Sequence, residues 1–91
     1  MEHVEGRLKK GVVLYALSTC VWCRRTKKFL QENDIDFSFE DVDLLDGEEK
    51  KTVDAEIRKW NPSFSFPTIV INDENSLVGY DVEGLKEKLG L

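Results

Sequence analysis

Residues 12–23 have the sequence VVLYALSTCVWC, in which a short apolar run leads directly into both cysteines of the 91-residue chain. The run is β-branched at its start and predicts a buried strand, and the two hydroxyl residues that follow it are typical helix caps. We therefore expect a helix that begins at Thr19 or Cys20 and ends near Asn33. On such a helix Cys20 and Cys23 share one face, so their sulfurs can bond and separate with small side-chain movements.

The cysteine spacing predicts redox chemistry rather than a structural disulfide. A bond between Cys20 and Cys23 closes a very small loop, and the entropic stabilisation from a disulfide grows with loop size. At the helix start Cys20 faces free backbone N–H groups, with Val21 adding one donor and Arg24 a nearby positive charge. These features favour the thiolate of Cys20, whereas Cys23 lies a turn further in and is expected to stay a thiol. We expect Cys20 to attack and Cys23 to resolve.

The composition indicates one small domain. Hydrophobic residues make up 41% of the chain, and no run approaches the roughly 20 apolar residues that a membrane span needs. Residues 1–10 are polar and charged, so we interpret them as an N-terminal extension before a domain over 11–91, and we expect a cytoplasmic protein. Two cysteines in a reducing compartment are more often catalytic or metal-binding than structural.

Basic residues are concentrated at the cysteine end of the chain. Residues 1–30 hold seven Lys or Arg and two acidic residues, whereas residues 31–91 hold six and sixteen, within a net charge of −5. An acidic chain without a basic, aromatic stripe is a poor candidate for nucleic-acid binding. A local cationic patch beside Cys20 would instead attract an anionic thiol or an acidic partner.

The rest of the chain alternates strands and helices in the order βαβαββα. Further strands are predicted over 37–42, 68–71 and 76–78, the last two forming a hairpin. Periodic apolar residues predict the buried faces of three helices, namely Cys23, Thr26, Phe29 and Leu30 in the first, Val53, Ile57 and Trp60 in the second, and Val82, Leu85 and Leu89 in the third.

The ordered set of motifs resembles the glutaredoxin family over nearly the whole chain. The motifs are Cys-x-x-Cys after the first strand, Ser65-Phe66-Pro67-Thr68 before the third, and Gly79-Tyr80-Asp81 after the fourth. The resemblance implies an α/β, thioredoxin-like fold whose four-stranded mixed sheet is covered by helices on both faces. It also implies a thiol–disulfide oxidoreductase that reduces protein or glutathione mixed disulfides, with glutathione as reductant or co-substrate and no bound cofactor.

The resemblance assigns further residues to the substrate site. In glutaredoxins the proline before the third strand is cis, which implies a cis Phe66–Pro67 bond and a Phe66 main chain that pairs with glutathione or with an extended substrate. Gly79-Tyr80-Asp81 matches the stretch that binds the γ-glutamyl end of glutathione. Asp81 is the acidic side chain there, and it is equally suited to cap the last helix. Trp22 replaces the usual tyrosine and supplies an apolar flank.

Departures from the family pattern leave other functions open. Val21-Trp22 replaces the usual Pro-Tyr, and Leu17 stands where many glutaredoxins have a lysine that contacts glutathione. One alternative is a glutaredoxin-like electron donor to ribonucleotide reductase, supplied by a thioredoxin-type reductase. Another is a dimer that bridges a [2Fe–2S] cluster.

A closed zinc site within one chain is not expected. Such a site needs about four ligands, and His3 is the only further soft donor. We therefore expect no metal site and a monomer that acts on disulfide-containing proteins, without nucleic-acid or membrane partners.

Overall fold

The computed structural model describes residues 1–91 as a five-stranded mixed sheet with helices on both faces. The strands are β1 (Glu2–Val4), β2 (Leu8–Ala16), β3 (Ile35–Asp41), β4 (Thr68–Ile71) and β5 (Asn75–Val78). The helices are α1 (Val21–Glu32), α2 (Gly47–Trp60) and α3 (Val82–Leu89), with a 3₁₀ turn at Val42–Leu44 between β3 and α2. None of the helices combines the length and the apolar character needed to cross a bilayer.

The sheet has one strand more than the four expected from the sequence. Its order is β1-β3-β2-β4-β5, and β1 pairs antiparallel with β3. As expected, β2 is parallel to its neighbour β3, and β4 and β5 form an antiparallel hairpin. The sequence did not indicate β1 because three residues, two of them polar, show no alternation. Residues 1–10 thus contribute strand to this sheet, and the boundary at residue 10 stays a prediction.

Alternate side chains of β2 enter two separate cores. Val12, Leu14 and Ala16 pack with the buried residues of α1 and α3. Tyr15 points to the other face and packs with Ile57 of α2. Because both faces of this central strand are covered, its sequence is a continuous apolar run rather than an alternating one. All four residues predicted for the buried face of α1 are buried.

Polar side chains connect β1 to the rest of the sheet. Asp36 accepts hydrogen bonds from Lys9 Nζ at 2.8 Å, His3 Nε2 at 3.0 Å and the Gly6 N–H at 3.1 Å. The Lys9 ammonium is the main cause that lowers the pKa of Asp36 to about 2. Lys9 also lies 3.2 Å from Glu5, so its ammonium occupies the space between the two carboxylates. Lys9, Glu5 and Asp36 therefore form an ion-pair network, and the hydrogen bond from His3 to Asp36 connects β1 to it.

Candidate active site

Cys20 is the N-cap residue of α1. Its backbone is extended (φ −85°, ψ 117°), and its Sγ accepts a hydrogen bond of 3.2 Å from the Cys23 N–H. The helix itself starts at Val21, within one or two residues of the predicted start. Both thiols are free, with Cys20 half-buried and Cys23 buried. The helix therefore begins at a half-buried sulfur that accepts a backbone hydrogen bond, and a negatively charged sulfur would be a stronger acceptor in this position.

One of the backbone donors expected at the helix start reaches the sulfur. The hydrogen bond comes from Cys23, whereas the N–H groups of Val21 and Trp22 make none to Sγ. Arg24 is exposed and takes part in no ion pair of the structure. The predicted contribution of Val21 and Arg24 to the thiolate therefore stays a prediction.

The two cysteines have different surroundings. Cys23 is fully buried, and burial is the main cause that raises the pKa of its thiol to about 12. The hydrogen bond to Cys20 acts in the same direction, while the Leu17 backbone and, less strongly, the charge of Lys27 oppose it. Lys27 lies on the same helix and pairs with Asp41 at 3.2 Å, with its ammonium 4.1 Å from the centre of the Phe39 ring. At neutral pH Cys23 is a protonated thiol held beside a capping sulfur.

The turn before Cys20 is held by an aspartate that the sequence analysis did not single out. Asp43 accepts the Ser18 N–H at 2.8 Å and the Ser18 hydroxyl at 2.5 Å. These bonds, the hydroxyl first, lower the pKa of Asp43. Asp43 follows β3, and the carboxyl end of β3 lies beside the end of β2, where Ala16 is opposite Asp41. In the sequence, the one sign of this contact is that an acidic residue directly follows the strand that lies parallel to β2.

Most of the predicted substrate residues meet in one recess. A cavity of about 300 Å³ is lined by Trp22, Phe66, Pro67, Gly79 and Tyr80. The rings of Trp22 and Tyr80 stack with centroids 6.0 Å apart and planes at 24°. The Phe66–Pro67 peptide bond is cis, as the resemblance implied. Gly79 has a φ of +84°, a value that favours glycine at this position of the wall.

Two features of the recess bear on substrate binding. The main-chain N–H and C=O of Phe66 make no hydrogen bond within the chain, so both are free for an extended partner. Asp81 lies outside the lining and caps α3, accepting the Gly84 N–H at 3.0 Å. A Cβ on Gly84 would collide with the Asp81 carboxylate, so a larger residue there would displace the capping side chain. The capping role of Asp81 is thus confirmed, and its role toward glutathione stays a prediction.

A buried asparagine supports the loop that carries Phe66 and Pro67. The Nδ2 of Asn61 donates to the Ser65 carbonyl at 3.0 Å, to the Ser65 hydroxyl at 3.2 Å and to Thr68 Oγ1 at 3.0 Å. Its Oδ1 accepts the Ser63 hydroxyl at 2.7 Å. In the sequence, the pair Asn61-Pro62 is typical of a helix end and does not indicate a buried side chain. The Ser and Thr hydroxyls spaced after it were the only available signal.

Known proteins share both the sequence and this architecture. A model of the Glutaredoxin family matches residues 12–75. An uncharacterized glutaredoxin-like 8.6 kDa protein in the rubredoxin operon of Clostridium pasteurianum is 32% identical over 80 residues, which cover 85% of this chain and 99% of that protein.

Two solved structures are closely similar. The glutaredoxin from Methanosarcina mazei Go1 has a TM-score of 0.92 and 46% identity, with 99% of this chain and 87% of that one covered. The methanoredoxin from Methanosarcina acetivorans has a TM-score of 0.91 and 44% identity, with 100% and 96% covered. The fold is thus the expected α/β, thioredoxin-like one. With its cysteine pair at the start of α1, the chain belongs to the glutaredoxin family.

Proposed function

We propose that the protein is a dithiol thiol–disulfide oxidoreductase that reduces mixed disulfides of proteins or of glutathione. The observation that carries this proposal is the asymmetry of the cysteine pair. Cys20 is accessible and its sulfur accepts the N-cap hydrogen bond, while Cys23 is buried and its thiol has a pKa of about 12. One sulfur is therefore suited to attack a substrate and the other to act afterwards.

The reaction proceeds in two exchange steps. The Cys20 thiolate attacks one sulfur of the substrate disulfide, a Cys20–substrate bond forms, and the other substrate sulfur leaves and takes up a proton. The Cys23 thiol then loses its proton and attacks Cys20 Sγ, which releases the second substrate thiol and leaves a Cys20–Cys23 disulfide. The pair has then given two electrons to the substrate, and an external thiol or a reductase returns them.

The recess holds the substrate while the sulfurs react. The free N–H and C=O of Phe66 are suited to pair with a substrate main chain in the manner of a β-strand. The stacked rings of Trp22 and Tyr80 form an apolar wall. Glutathione and an extended peptide share the backbone that such a site recognises, so the site suits either one.

The roles of the two cysteines are tested by substitution and alkylation. Cys20→Ser abolishes reduction of disulfides, whereas Cys23→Ser accumulates a protein mixed disulfide that mass spectrometry detects. In the reduced native protein, iodoacetamide at neutral pH modifies one thiol rapidly, and peptide mapping places it at Cys20. Turnover that survives in Cys20→Ser, or equal modification of both thiols, contradicts the proposal.

The electron donor is tested by comparing two reducing systems. A small disulfide is reduced with glutathione plus glutathione reductase, or with a thioredoxin reductase system, with Cys20→Ser as the blank. Turnover with glutathione supports a glutathione-dependent enzyme despite Leu17. Turnover only with the thioredoxin-type reductase supports the alternative in which a protein disulfide, such as that of ribonucleotide reductase, is the target.

Two substitutions separate the possible roles of Asp81. Asparagine caps helices as well as aspartate does, so Asp81→Asn keeps the hydrogen bond to Gly84 and loses only the charge. Asp81→Ala loses both and lowers the free energy of unfolding by about 1 kcal/mol. A KM for a glutathione mixed disulfide that rises in both variants assigns the charge to glutathione binding. A KM unchanged in Asp81→Asn leaves Asp81 as a cap alone.

A further inference from the structure

The exposed side of α1 carries two cations that form no ion pair. Of the basic residues in the N-terminal third of the chain, Arg7, Lys9 and Lys27 each bind an aspartate. Arg25 and Lys28 are exposed and take part in no ion pair. They lie three residues apart on one helix and therefore on the same face.

This cationic face adjoins the substrate recess. A second recess of about 340 Å³ is lined by Arg25, Lys28, Phe29, Glu32 and Tyr80. Tyr80 also lines the first recess, and its ring stacks on that of Trp22. The Arg25 guanidinium lies 5.0 Å from the centre of the Trp22 ring. The two recesses are thus adjacent and share an aromatic wall.

The chemistry of the second recess suits a carboxylate. The indole holds the Arg25 guanidinium by a cation–π contact, and a guanidinium presents paired N–H donors to carboxylates. Glu32 contributes one negative charge against the two positive charges of Arg25 and Lys28. The whole chain has a net charge of −5, so an acidic segment is repelled elsewhere and attracted to this face.

We propose that Arg25 and Lys28 form a subsite for an acidic side chain of a polypeptide substrate, so that the protein prefers disulfides flanked by Asp or Glu. This inference rests on the proposed exchange function. Tyr80 lines both recesses, so a substrate that extends from the first recess into the second passes this ring. An extended chain advances about 3.3 Å per residue, so a side chain in the adjacent recess belongs to a residue a few positions from the substrate cysteine.

The test uses single-turnover oxidation of the reduced protein by synthetic peptides. Each peptide carries one cysteine as a mixed disulfide with uncharged 2-mercaptoethanol, and the two positions beyond the cysteine's neighbour are Asp-Asp, Ser-Ser or Lys-Lys. The wild type reacts about tenfold faster with the Asp-Asp peptide than with the Lys-Lys peptide at low salt. This ratio falls toward one in about 0.5 M NaCl, because salt screens exposed charges.

Two charge-reversed variants test the location of the subsite. Arg25→Glu/Lys28→Glu brings the ratio of the Asp-Asp to the Lys-Lys rate below one. The matched control is Lys10→Glu/Lys88→Glu, which changes the net charge equally at a recess beside Gly11 and Asn72, at the opposite end of β2 from Cys20. The control keeps most of the tenfold preference.

The outcomes distinguish this inference from the exchange function. A wild-type ratio near one, an unchanged ratio in the α1 variant, or an equal fall in the control overturns the subsite alone. The three peptides could instead react at equal rates, while Arg25→Glu/Lys28→Glu slows only the reaction with a glutathione mixed disulfide. That result overturns the polypeptide as the ligand of the subsite. Failure of the wild type to react with the Ser-Ser peptide overturns the exchange function, and the subsite with it.

Discussion

Asn61→Ala removes the side chain that holds the loop beside the cysteines. The amide group of Asn61 is buried, with 3% of the residue exposed, and it has two N–H hydrogens and one carbonyl for its four contacts. At most three full hydrogen bonds are therefore lost, at a net of about 1 kcal/mol each. We expect the free energy of unfolding to fall by about 3 kcal/mol, a large part of the roughly 5–15 kcal/mol of a typical domain.

Urea unfolding followed by tryptophan fluorescence measures this loss, and two further variants test its origin. Ser63→Ala removes only the bond to Asn61 Oδ1, at an exposed residue, and costs about 0.5–1 kcal/mol. Thr68→Val removes a buried hydroxyl that bonds Asn61 and Ser65 and costs about 1–2 kcal/mol. Combined with Asn61→Ala, the Thr68 variant shows less than additive loss, because the two side chains share one bond.

The same substitution reports on the site. The loop from Asn61 to Thr68 carries Phe66, whose main-chain groups are unpaired and are proposed above to bind the substrate. Once the loop is no longer fixed, we expect KM for a disulfide substrate to rise while the alkylation rate of Cys20 stays unchanged. A loss of stability below about 1 kcal/mol, or an unchanged KM, refutes this account of the loop.

Three further predictions concern charges. Lys27→Met and Asp41→Asn each cost about 2 kcal/mol in urea unfolding, because side chains only 22% and 16% exposed lose their partner; additive losses in the double variant contradict the pair. Asp36 has a pKa of about 2, so its stabilisation is present above about pH 4 and is lost as the pH falls toward 2. In Asp36→Asn, the free energy of unfolding therefore decreases less between about pH 4 and pH 2 than in the wild type. An unchanged decrease excludes this carboxylate as its cause. Arg24→Glu slows alkylation of Cys20 at neutral pH, with Arg24→Gln intermediate; equal rates remove this charge from the account.

The sequence was informative where a short segment determines the structure. The periodic apolar residues of α1 identified its buried face, and the cysteine spacing identified Cys20 and Cys23, because both patterns depend only on helix geometry. The hairpin after Thr68 followed from two apolar runs around a polar turn. The residues of the recess were found through their resemblance to a family, since they come from three separate parts of the chain.

Features that depend on distant pairing could not be found in this way. Strand β1 is held in the sheet by its pairing with β3 and by the contact of His3 with Asp36 of that strand, and β3 is distant from β1 in the sequence. Asp43 supports the turn at Ser18 only because β2 and β3 end side by side. For Asn61, the sequence showed a helix end but not that its side chain would be buried against Thr68. Such contacts follow from the register of the sheet, which short-range patterns do not determine.

Because the Cys20 sulfur caps α1, the reduction potential of the cysteine pair depends on the stability of the first turn of this helix. A disulfide sulfur carries no charge and is a weaker acceptor than a thiolate sulfur, so a Cys20–Cys23 disulfide weakens the hydrogen bond that a Cys20 thiolate accepts from the Cys23 N–H. Any substitution that stabilises the first turn of α1 through this cap therefore also stabilises the reduced form, and raises the reduction potential. Conversely, oxidation weakens the helix start, so redox state and local stability cannot be changed independently in this protein.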